Sequence, residues 1–162
     1  MKLIHYSSKE EKLEPMIYDQ SLSKWQAKPI GLWISVGDEW KKWCEAESFN
    51  LENCTHAHEV ILKTNNSILY LNTPEQIFAF GKKYPLRTRD WDAEWDTYQL
   101  DWHTIKKEYQ GIIISPYQWD CRLALQSCWY YGWDCASGCI WDLDCIESFT
   151  FIEEKQLCEI NT

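Results

Sequence analysis

The chain reads as a mixed α+β domain, and three observations carry that reading. Strand-like and helix-like segments follow one another irregularly, not as a repeating strand–helix–strand unit. GIIISPY, 111–117, is a continuous β-branched run of the kind buried on both faces of a sheet. Thr73-Pro74-Glu75 marks a helix start, with proline at the first helical position and QIFAFGKKY behind it.

The elements follow in chain order. KLIHY, 2–6, reads as a short strand that stops at Ser7-Ser8. Residues 9–28 are polar and mixed, with Pro15 and Pro29 as breakers, and predict loop plus a short helix. GLWISV, 31–36, is a second strand closed by Gly37. In DEWKKWCEAESF, Asp38 is placed to cap, and Trp40, Trp43 and Cys44 mark one helical face. HAHEVILKT and SILYL predict paired strands joined at Asn65-Asn66, a good turn dipeptide. Residues 85–100 lack a helical period and predict a loop with short turns. LDWHTIKKEY predicts a helix that Asp101 caps and Gly111 ends. CRLALQSCWYY fits neither period, and the last third holds short strands, GCIWD and SFTFIE among them.

Composition narrows the function classes. With 162 residues, the chain fits a single domain, 1–162, that buries roughly 70% of its unfolded surface. The net charge of -9 disfavours a surface that grips nucleic acid through phosphates. No run of about 18 apolar residues is present, so no membrane span is expected. MKLIHYSSKEEKLEP lacks the long apolar stretch of a signal peptide, which predicts a cytoplasmic protein. Its eight cysteines are then reduced, small and mostly buried. The spacings of Cys121, Cys128, Cys135, Cys139 and Cys145 match no zinc pattern of close pairs.

Several constellations carry possible chemistry. His5-Tyr6 ends the first strand, where side chains reach a cleft. Cys54, His56 and His58 alternate and would share a face if the strand began that early, as metal ligands or as polar side chains at a strand start. Asp90, Asp92, Glu94 and Asp96 alternate with Trp91, Ala93 and Trp95, the pattern of a solvated face over an aromatic one. Paired carboxylates for glycoside hydrolysis are the competing reading of that run. Neither GxGxxG, GxxxxGK[ST] nor GxSxG occurs.

Taken in order, the motifs resemble the ADP-ribosyltransferase fold family. The resemblance rests on LIHYSS, on KPIGLWISVGDEWKKWC, on HTIKKEYQGIIIS and on SGCIWDLDCI, and it spans most of the chain. It implies a split β-sheet core with flanking helices and a cleft between two small sheets that holds NAD, the substrate, in a bent form. Carried over by position, His5 would hydrogen-bond the adenosine-side ribose. Trp33, or Tyr6 beside it, would stack on the nicotinamide ring, with Ser35 next to it. Breaking the glycosidic bond gives an oxocarbenium-like centre, which a nearby carboxylate stabilises.

The family's catalytic glutamate falls at Ser137 in this chain. Asp134 is the nearest carboxylate, three residues earlier, and Glu147 lies beyond the strand. Asp134 acting from a shifted position, Ser137 marking a variant chemistry, and a domain that binds without turnover are the three explanations. The resemblance therefore implies an NAD-dependent mono-ADP-ribosyltransferase, as a toxin, phage modifier or defence effector. The acidic charge favours a protein or small-molecule acceptor. A catalytically silent nucleotide- or partner-binding domain is the first alternative, and a metal-dependent enzyme built on Cys54, His56 and His58 the second.

Overall fold

A computed structural model describes residues 1–21, 27–86 and 99–152. Their strands form one seven-stranded sheet in the order β4-β5-β6-β2-β1-β3-β7. The strands are β1 (Leu3–Ser7), β2 (Leu32–Val36), β3 (His56–Leu62), β4 (Ile68–Leu71), β5 (Gly111–Ile114), β6 (Ser137–Ile140) and β7 (Ile146–Ile152). Every pairing is antiparallel except β4 with β5, which is parallel and therefore needs a crossover. That crossover holds α2 (Pro74–Lys83) and α3 (Trp102–Ile105), while α1 (Glu39–Glu47) follows β2 and α4 (Trp119–Arg122) precedes β6. Mixed helices around one sheet make this an α+β fold.

The aromatic and β-branched residues explain the two-sided core. On β5, Ile112 and Ile114 face a cluster of Trp102, Trp129, Tyr130, Trp133 and Trp141. Ile113 alternates to the other face and joins Leu3, Leu32, Ile34 and Ile140. All of β5 is buried, as its continuous apolar run requires. WYYGWDCASGCIWD thus supplies core: Trp129, Trp133 and Trp141 are each at most 1% exposed. Cys44, Cys121, Cys135, Cys139 and Cys145 are buried free thiols, and Cys54 and Cys128 are half-buried free thiols.

Three local expectations need correction. The predicted pairing of the third and fourth strands does not form. The backbone bends at Asn66, whose N–H donates to Lys63 O at 3.3 Å. Both edges of β3 are taken, by β1 and by β7, so β4 leaves for the far edge beside β5. Ser67 and Gln110 anchor it there: each N–H meets an oxygen of the other residue at 3.0 Å.

Of the loop and short helix expected over 9–28, residues 22–26 lie outside the described residues; residues 9–19 are irregular, and their backbone groups bond elsewhere. Glu11 N–H donates to His58 Nε2, Tyr18 N–H to Trp141 O, and Met16 O accepts from Leu143 N–H. Asp38 takes the N-cap position of α1 without capping it. Its carboxylate pairs with Lys42 at 2.9 Å, and the Trp40 N–H goes to Ser35 Oγ instead. The helix after Asp101 is a single turn, although Asp101 does accept from Thr104 N–H at 3.0 Å. The Thr73 capping box forms as the sequence predicts, with Gln76 answering across the first turn. The carboxylate run at 90–96 lies outside the described residues.

Candidate functional site

The site originates where β1 and β2 part. They pair at Leu3–Val36 and Ile4–Ser35, and no register pair follows along Tyr6, Ser7, Leu32 and Trp33. Each strand keeps its outer neighbour, β3 for β1 and β6 for β2, so the gap opens within an otherwise hydrogen-bonded sheet. A cleft of about 550 Å³ occupies it, within the range of small-molecule sites.

This cleft gathers the residues the sequence singled out. His5, Tyr6, Trp33, Ser35, Asp134 and Ser137 all line it, although they come from β1, β2, β6 and the approach to β6. Glu147 does not line it; it is exposed at the start of β7. Among the described residues, Asp134 and Glu11 are the carboxylates that line the cleft.

His5 bridges the parted strands. Its Nδ1 lies 2.7 Å from Trp33 O, and because a carbonyl only accepts, Nδ1 carries the proton. Nε2 then turns toward the Glu11 carboxylate at 3.3 Å, an ion pair when the ring is protonated. Glu11 is itself held by its N–H on His58 Nε2 at 3.0 Å. His58 is fully buried and stacks on Phe149 at 4.7 Å. Tyr6, on the opposite face of β1, has a buried hydroxyl without a hydrogen-bond partner among the described residues. Burial, then the charge of Asp38, pushes that phenol above its usual value, so it stays protonated and able to donate.

The other wall is aromatic and charged. Trp33 and Trp133 meet at 5.2 Å with a 60° tilt. Lys28 Nζ lies 5.1 Å from the centroid of Trp33. Asp134 accepts from Arg122 Nη2 at 3.2 Å and sits 3.9 Å from Lys28 Nζ. Its carboxylate is therefore flanked by two cations.

The serines across the β2–β6 ladder are register partners, and both hydroxyls serve the backbone. Ser35 Oγ accepts the Trp40 N–H, and Ser137 Oγ donates to Cys135 O at 3.0 Å. Burial pushes the neighbouring Cys135 thiol up to about 12, which makes it a packing group and a poor nucleophile.

The possible metal trio is not assembled. Cys54 sits in a 3-10 turn before β3 and packs with Tyr6 and Ala57, on the face opposite His56 and His58. His56 Nδ1 contacts Thr55 Oγ1 at 3.0 Å, and His58 Nε2 is occupied by Glu11. Among the described residues, no three His, Cys, Asp or Glu side chains are arranged to hold a metal ion.

Sequence reasoning missed Glu11, Lys28 and Trp40 as cleft residues. Glu11 lies in a charged run, KEEKLEP, with nothing local to distinguish it from its neighbours. Trp133 lies in the aromatic stretch WYYGWDCASGCIWD, yet its place on the cleft wall depends on the fold. No helix among the described residues is long and apolar enough to cross a membrane. Compared with protein-family models, with curated proteins and with solved structures, the chain finds no match.

Proposed function

We propose that the β1–β2 cleft binds NAD as substrate and that the chain is a mono-ADP-ribosyltransferase with an ADP-ribosyltransferase-like split-sheet core. The observation that carries this reading is the parting of β1 and β2 around a cleft lined by His5, Tyr6, Trp33, Ser35, Asp134 and Ser137. The nicotinamide ring packs against Trp33, and His5 Nε2, which faces Glu11, hydrogen-bonds a ribose hydroxyl. The C1′–N bond then breaks with its electron pair leaving on nicotinamide. An acceptor oxygen or nitrogen adds to C1′ and releases its proton. Asp134, at the approach to β6, is the carboxylate nearest the position of the family's glutamate. Ser137 occupies that position itself, with its hydroxyl donating to Cys135 O.

A second reading has its own observation. Arg122 and Lys28 both sit on Asp134, and the Ser35 and Ser137 hydroxyls are engaged with backbone. Such a cleft binds a nucleotide without turning it over.

Labelled NAD incubated with the purified protein and a cell extract separates the two. Transfer of label, or nicotinamide release, that His5→Ala and Asp134→Ala abolish is the expected result. Saturable NAD binding with no turnover supports the silent domain. Absence of both binding and turnover ends the proposal.

A further inference from the structure

Lys28 is the only lysine or arginine among the described residues that line the cleft. It is held in place. Its stem crosses Gly132 so closely that a Cβ there would fall 2.7 Å from Lys28 Cε. Its ammonium lies over Trp33 and 3.9 Å from Asp134 Oδ2. Asp134 is not its alone, because Arg122 approaches the other carboxylate oxygen to 3.2 Å. Two positive charges thus share one negative charge, at one end of a cleft in a chain whose net charge is -9. Burial disfavours the charged ammonium, and Asp134 offsets this only in part, so the Lys28 pKa lies below its usual value. An ammonium so placed is an incomplete ion pair, and an added anion would complete it.

We propose that Lys28 forms a phosphate subsite, so that the cleft selects phosphorylated nucleosides over the free nucleosides. The phosphate takes the third partner position of the Lys28 ammonium, while Asp134 stays on Arg122. The ring of the same ligand lies toward Trp33. This subsite rests on the nucleotide reading of the cleft given above.

The test uses the full chain and two ligands that differ by one phosphate, nicotinamide riboside and nicotinamide mononucleotide, titrated by calorimetry. Wild type should bind the mononucleotide roughly ten- to a hundredfold more tightly, the range of one charge-assisted hydrogen bond. Lys28→Met should erase that gain and leave riboside affinity within about twofold, whereas Lys28→Arg should retain it. Gly132→Ala, which displaces the lysine stem without removing its charge, should reduce the gain. Asp134→Asn removes the competing carboxylate and should widen the advantage of the mononucleotide over the riboside several-fold. Circular dichroism of each variant checks that it folds. Equal affinity for the two ligands in wild type, or a phosphate gain that survives Lys28→Met, overturns the subsite and leaves the nucleotide cleft standing. If neither these ligands nor NAD binds wild type, both readings fall together.

Discussion

His58 should make the protein acid-sensitive through a single hydrogen bond. The ring is fully buried, its Nε2 accepts the Glu11 N–H at 3.0 Å, and its Nδ1 has no described partner. Protonation would place a second N–H against the Glu11 donor and charge a ring stacked on Phe149. Burial pushes His58 below its ordinary 6.5, and the nearby His5 pushes the same way; Glu11 and Glu10 oppose. The folded state therefore takes up this proton less readily than the unfolded chain. Stability is full above about pH 6.5 and falls as pH drops toward the folded-state value, by up to about 1.4 kcal/mol per pH unit. His58→Gln keeps an acceptor for the Glu11 N–H and cannot titrate. Urea unfolding at about pH 7.5 and about pH 5.5 isolates the histidine from the other acid-titrating groups. Wild type should lose more stability than the variant over that interval, at no more than about 1.4 kcal/mol per pH unit. Equal losses in the two proteins refute the reasoning.

Three further outcomes follow from local geometry. Ser35→Ala should cost about 1 kcal/mol by orphaning the Trp40 N–H, while NAD affinity stays within about twofold, because that hydroxyl serves α1. Gly138→Ala should be severely destabilising, by about 2–4 kcal/mol in chemical denaturation, since its Cβ would meet Ile112 O at 2.5 Å within the sheet. Thr73→Ala should cost about 1 kcal/mol through loss of the capping box, and Thr73→Ser should restore most of it.

What the sequence revealed was local, and what it concealed was pairing. Thr73-Pro74 and Asp101 carry their capping chemistry within four residues, so both helix starts were legible. GIIISPY announced a doubly buried strand because β-branched residues on both faces have no other use. The turn at Asn65-Asn66 was legible too, but a turn does not choose the partners of the strands it separates. β3 was claimed by β1 and β7, a competition between segments far apart in the chain.

The cleft residues divide in the same way. His5, Tyr6, Trp33 and Ser35 lie on strands whose ends were recognisable, and motif order pointed to them. Glu11 and Lys28 lie in irregular segments, and only the fold brings them beside His5 and Asp134. Ser35 lines the cleft and also holds a helix start, a second role read only from the Trp40 N–H that reaches it.

The central claim is that the parted strands β1 and β2 hold NAD against Trp33. Calorimetric titration of NAD into the full chain, wild type beside Trp33→Ala, tests it most directly. Saturable binding at one site, weakened about tenfold or more by loss of the Trp33 ring, is the predicted result. No binding to wild type, or equal binding to the folded variant, contradicts the account.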